Sequence, residues 1–226
     1  MAKIKFGMMM TDARGKLGGH VFSKNRAGAY VRTKVSPVNP RTDAQQFSRS
    51  VLGTLSIGWN ALTDEQRASW NGGVENWQGT DIFGDIKKPT GKNLFVGLNK
   101  NLLGTGQSQI AIVPEKIEIP VILGAKATFD NTASNLVLSL NAVPAGVVLQ
   151  VWATAPQNAG VSFVKNRLRV ISVIPSGEVS ATALYDAYVD KFGAVPDVAN
   201  ISVQLRYIGS NGQAGVPTIV KAVVIP

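Results

Sequence analysis

Cysteine is absent from the chain and histidine occurs once, at position 20. The first absence excludes disulfides and thiol nucleophiles and leaves the redox compartment open. The second leaves no basis for a histidine-built metal site. Long apolar runs are missing too: no segment approaches the roughly 18 residues of a membrane-spanning helix. The apolar stretch in the opening MAKIKFGMMM is shorter than a secretory core region. The expectation is a soluble chain made and kept in a cytoplasm, with assembly as a later fate.

Catalytic signatures are equally scarce. There is no G-x-x-x-x-G-K-[ST] phosphate loop and no G-x-S-x-G elbow. A nucleophilic triad would need His20, which sits in a basic, glycine-rich stretch and reads as a strand-edge or surface residue. Asp64 and Glu65 stand where first-turn carboxylates complement a helix dipole. Asp186 and Asp190 share one face of a late helix, which reads as a solvated face or a weak cation site. Nothing calls for a cofactor, and the chain is expected to be non-enzymatic.

Acidic residues are nearly missing from the first 49 positions, and this absence points to what is there. The chain carries 23 Lys and Arg against 14 Asp and Glu, a net charge of +9. Lys3, Lys5, Arg14, Lys16, Lys24, Arg26, Arg32, Lys34, Arg41 and Arg49 face only Asp12 and Asp43 in that opening stretch. The remainder is nearly neutral. Charge concentrated in this way calls for an anionic partner, either nucleic acid or an acidic protein surface. With 226 residues, the chain can bury a sizeable core or divide into small domains.

Four regions follow from the pattern. Residues 1–41 read as a basic extended arm. Within it, 20–23 and 29–33 are β-prone runs around Lys24-Asn25-Arg26-Ala27-Gly28, a hairpin with Gly28 at the φ > 0 position, or else a loop ordered only by a partner. Residues 1–20 are expected to lack structure of their own. Pro37 and Pro40 make the segment after the hairpin an extended strap or a linker. The arm supplies the candidate partner-binding residues: Lys16, Val21, Phe22, Lys24, Arg26, Tyr30, Arg32, Lys34 and Arg41.

Residues 42–104 read as helical. Thr42-Asp43-Ala44-Gln45 and Thr63-Asp64-Glu65-Gln66 both match capping boxes. Phe47, Val51, Leu55, Trp59 and Leu62 recur at helical spacing. Asn71-Gly72-Gly73 could close the second helix, or Val74–Trp77 could prolong it. Residues 79–89 read as a loop, after which Thr90 caps a third helix carrying Leu94, Phe95, Leu98 and Leu102. Phe47, Trp59, Trp70 and Phe95 are the expected structural core, with a base-stacking platform as the rival reading of the aromatics.

Residues 105–120 read as a linker, and the pattern then turns to period two. Runs at 121–129, 136–140, 147–154, 167–174, 201–208 and 218–225 read as strands, with a helix at 181–192. So many short strands between Gly, Pro and Asn turns over 121–226 argue for a β-sandwich. The whole is an α+β chain.

The run Gly15-Lys16-Leu17-Gly18-Gly19-His20-Val21-Phe22-Ser23, then Gly28-Ala29-Tyr30-Val31-Arg32 and Pro37-Val38-Asn39-Pro40-Arg41-Thr42 with Gln45 and Arg49, resembles a recurring pattern. It continues in Leu62-Thr63, Gln66-Arg67, Trp70, Gly91, Phe95 and Asn99. This is similar to uncharacterised virion-associated proteins of tailed bacteriophages. The closing strands around Gly209–Gly215 resemble those of fibronectin type III domains, and the sandwich resembles the immunoglobulin-like modules of phage particles. The resemblance implies a virion structural protein present in many copies. Its expected partners are other virion proteins and further copies of itself, with non-specific contact to packaged nucleic acid and none to membrane. A head-associated role as a decoration or minor capsid protein is the first expectation, a neck or tail component the second, and a nucleic-acid-binding protein using the same arm the third.

Overall fold

The structure is a computed structural model that describes residues 2–25, 28–140, 142–158, 160–177, 180–196 and 199–225. It is an α+β fold. Strands β1 (Ala2–Lys3), β2 (Gly15–Leu17), β3 (His20–Asn25) and β4 (Gly28–Thr33) form one antiparallel sheet in the order β1-β4-β3-β2. The expected hairpin is β3–β4, with Gly28 at φ +105°. The two strands added to it come from residues expected to be unstructured: Gly15 pairs with Phe22, and Ala2 with Val31. Such short polar strands carry no periodic signal and form only where a neighbouring strand offers its edge.

Helices α1 (Asp43–Ala61), α2 (Asp64–Gly72) and α3 (Gly91–Leu103) follow, with a 3-10 turn at Gly73–Trp77 prolonging α2. The second capping box forms in full, Thr63 and Gln66 each bonding the other's backbone N–H. The first does not: the Thr42 side chain makes no capping bond. Arg41 enters the helix at φ +51°, and Gln46, in place of Gln45, reaches back to donate to the Arg41 carbonyl at 2.8 Å. Leu55, Trp70, Val74, Leu94, Phe95 and Leu98 form a small core, with Trp59 and Trp77 partly buried against it. Phe95 stands edge-on to Trp70 with ring centroids 5.3 Å apart. Phe47 is not part of this core; it is 63% exposed. It lies two turns before Leu55 on α1, where open space separates α1 from the end of α3. Residues 79–89 are not a plain loop but carry a hairpin of β5 (Gly79–Thr80) and β6 (Ile86–Lys87).

The connection at 105–120 is tied down along its length. Trp70 Nε1 donates to Ala111 O at 2.8 Å. The fully buried Asn99 exchanges bonds with the Ile110 backbone in both directions. Asn211 Nδ2 holds Glu115 O, and Gln213 Oε1 accepts from Ile117 N. The backbone of Gly212, at φ +78°, lies so close to α3 that a Cβ there would meet Leu98 O at 2.4 Å.

The C-terminal strands β7 (Lys126–Asp130), β8 (Asn135–Ser139), β9 (Val147–Ala153), β10 (Arg169–Ile174), β11 (Ile201–Gly209) and β12 (Thr218–Ile225) are those expected, within a few residues. The first starts late because Gly124 turns the chain at φ +65°. All six lie in one hydrogen-bonded sheet, ordered β10-β9-β11-β12-β7-β8, antiparallel except for β12–β7. Two separately paired antiparallel sheets, the expected sandwich, are not seen among the described residues. Helix α4 (Ala181–Phe192) instead covers the inner face and touches both end strands, β8 and β10. A sheet whose two end strands meet one helix is curled around it. Leu184 and Tyr188, one turn apart, bury themselves against Phe129, Leu149, Val151 and Leu205. The Tyr188 hydroxyl donates to Thr154 O at 2.9 Å, and burial raises its pKa.

Candidate functional site

Strand pairing sorts the arm's candidate residues onto two faces. Residues directly opposite in register share a face, as do alternate residues along a strand. Lys16, Val21 and Arg32 form one row across three strands, and Lys3, Tyr30 and Ser23 the next. One face is therefore cationic around a single tyrosine. Phe22 lies on the other face between Gly15 and Val31, and Lys24 is opposite Ala29 on that same face. Lys34 and Arg41 lie in the strap beyond the sheet, where Lys34 N donates to Gly19 O at 2.8 Å. Arg26 lies outside the described residues.

None of the described residues of this sheet is fully buried. Val21, Phe22, Tyr30 and Val31 are half-covered, so the sheet has no core of its own. Among the described residues, Lys16, Lys24, Arg32 and Lys34 have no carboxylate partner.

What holds the sheet to the body is polar. Lys3 Nζ is 2.7 Å from Asp81 Oδ2, and Lys5 Nζ is 2.8 Å from Asp85 Oδ2. Lys5 also lies 5.2 Å from the Phe83 ring centroid. Both carboxylates belong to the turn of the β5–β6 hairpin, the part of the sequence expected to be a plain loop. The Lys3 ammonium, with backbone N–H groups of Phe83 and Asp85, pulls the Asp81 carboxyl down to about 2. Asp85 in turn raises the Lys5 ammonium pKa.

A second feature was not singled out by sequence reasoning. A groove of about 1210 Å³ separates the N-terminal half of α1 from the outer face of the C-terminal sheet, with the ends of α3 and α4 closing it. Arg206 and Gln150 are opposite in register on its sheet wall, and Arg206 Nη2 donates to Gln150 Oε1 at 3.0 Å. Gln204 and Trp152 form the next pair. Arg206 Nε and Trp152 Nε1 are shielded from solvent and make no hydrogen bond. Burial without a neighbouring acid lowers the Arg206 pKa. The signal for this wall is the row of polar residues alternating with buried ones on β9 and β11, easily read as an ordinary solvated face.

Among the described residues, no group of three or more His, Cys, Asp or Glu could hold a metal ion. Asp186 and Asp190 are exposed on α4. No described helix is long and apolar enough to cross a membrane. No protein family, curated protein or solved structure matches this chain.

Proposed function

We propose that the chain is a non-enzymatic structural subunit of a tailed-phage virion, head-associated as a decoration or minor capsid protein, whose basic N-terminal sheet docks on neighbouring subunits. The observation that carries this reading is the sheet itself. It has four strands, no buried residue among those described, and two ion pairs holding it to the body. Phe22 and Val31, neighbours on one face, are only half-covered, and a small sheet whose apolar side chains are not packed is marginal in water, so a second surface is needed to complete it. The open edge of β2 and the unpaired Lys16 and Arg32 suit a partner that offers a strand edge and carboxylates. The resemblance of residues 15–104 to virion-associated proteins supports the same reading. So does the strand order of the C-terminal sheet: β10-β9-β11-β12 follows the C′-C-F-G order of an immunoglobulin-like sheet, with α4 standing where further strands of the second layer would lie. A neck or tail position would use the arm in the same way.

Tyr30 on the same face as Lys16 and Arg32 favours a second reading, in which the sheet binds nucleic acid by stacking and charge. One pair of assays separates the two. Charge reversal by Lys16→Glu and Arg32→Glu is expected to abolish incorporation into particles, while wild-type binding to free DNA at physiological salt stays weak and sequence-independent. Tight, sequence-selective DNA binding by the wild type, with the variant still incorporated, would reject the assembly reading.

A further inference from the structure

We propose that the groove between α1 and the outer face of the C-terminal sheet docks an extended, carboxylate-bearing apolar peptide segment of a partner protein. Its charge is one-sided: Lys100, Arg169, Lys191 and Arg206 line it against Asp43 alone. None of the four cations has a carboxylate within ion-pair distance among the described residues. Two donors of the sheet wall, Arg206 Nε and Trp152 Nε1, have no acceptor among the described residues. A buried donor left unmade is unfavourable, and a carboxylate satisfies indole and guanidinium N–H groups together.

Size and polarity select a peptide. At about 1210 Å³ the groove exceeds the roughly 300–1,000 Å³ usual for a small molecule. Phe47, Val51, Leu103 and Phe192 lie along it, apolar surface that a polyphosphate would leave unmatched. The exposure of Phe47 on α1, at odds with its helical periodicity, is accounted for by an apolar partner side chain. Strand β10, an end strand of the sheet, forms part of the wall through Arg169 and Val170. An extended segment can add main-chain bonds there. This site is independent of the arm, and its failure leaves the arm's role untouched.

The test uses the full chain and a short fluorescein-labelled peptide of alternating Asp and Leu. Lys100 and Lys191 are exposed, so Lys100→Ala/Lys191→Ala keeps the fold. It is expected to weaken binding at least about tenfold, as loss of matched charges does. The arm variant Lys16→Ala/Arg32→Ala should stay within about twofold on the same scale. Replacing Asp by Asn in the peptide should abolish binding, and the Trp152 indole N–H resonance, assigned through Trp152→Phe, should move on titration. The proposal is overturned if the peptide does not bind, if the Asn peptide binds equally, or if only the arm variant loses affinity. It is also overturned if single-stranded DNA binds more tightly than the peptide through Lys100 and Lys191, which would make the groove a nucleic-acid site.

Discussion

At Asp81 three donors converge on one carboxylate: Lys3 Nζ on Oδ2, and the Phe83 and Asp85 amides on Oδ1. Its pKa falls from the ordinary 3.8 to about 2. A depressed carboxylate pKa contributes stability that is complete above the unfolded value and lost as pH drops through the folded one. The Lys3–Asp81 tie should therefore hold at pH 5 and weaken between about pH 4 and pH 2. A carboxyl NMR titration of Asp81 checks this; a midpoint near 3.8 would contradict it. Asp81→Asn should loosen the arm at neutral pH with the body's melting unchanged. Gly212 is the other residue at which one atom decides the outcome. Alanine there would take the left-handed conformation, about 1–3 kcal/mol unfavourable, and would press on Leu98 O. Gly212→Ala should lower stability by at least that amount in chemical denaturation; a neutral result would mean the loop can retreat from α3.

Each helix shows where periodicity is informative and where it stops. Trp70 and Phe95, both fully buried, were legible because large aromatics recurred at helical spacing beside a capping box. Phe47 obeyed the same spacing and is exposed, because periodicity marks a helix face without telling how far along the helix its partners extend. Trp70→Ala should destabilise the protein by about 3–5 kcal/mol, Trp59→Ala by less, and Phe47→Ala within about 0.5 kcal/mol. Equal losses at Trp59 and Trp70 in thermal or denaturant unfolding would contradict the burial difference. The C-terminal strands and α4 were legible to within a few residues from alternation and from Leu184, Tyr188 and Phe192. Their assembly into one curled sheet was not, since pairing order depends on which edges meet across long connections. The polar ties of Asn99, Asn211 and Gln213 were invisible for a related reason: an amide side chain gives no periodic signal, whatever it bonds.

For the whole molecule, two well-cored units carry a third that has no core. The helices pack around Trp70 and Phe95 and the large sheet around α4, while the N-terminal sheet rests on Lys3 and Lys5. Sequence charge located this third unit, and the hairpin at its centre was legible from Gly28 and its flanking β-prone runs. The groove was not, because Arg206 and Trp152 meet Lys100 and Lys191 only in the folded chain. Segments with few buried contacts open at low free energy, whereas core strands open only near global unfolding. Hydrogen exchange of the β3 and β4 amides, measured in the dilute chain and again in assembled particles, tests the docking account most directly. If the sheet docks on neighbouring subunits, β3 and β4 exchange rapidly in the free chain beside protected β9 and β11, and all four are strongly protected in the particle. Protection of β3 and β4 in the dilute chain equal to that of β9 and β11, or rapid exchange persisting in the particle, would contradict it.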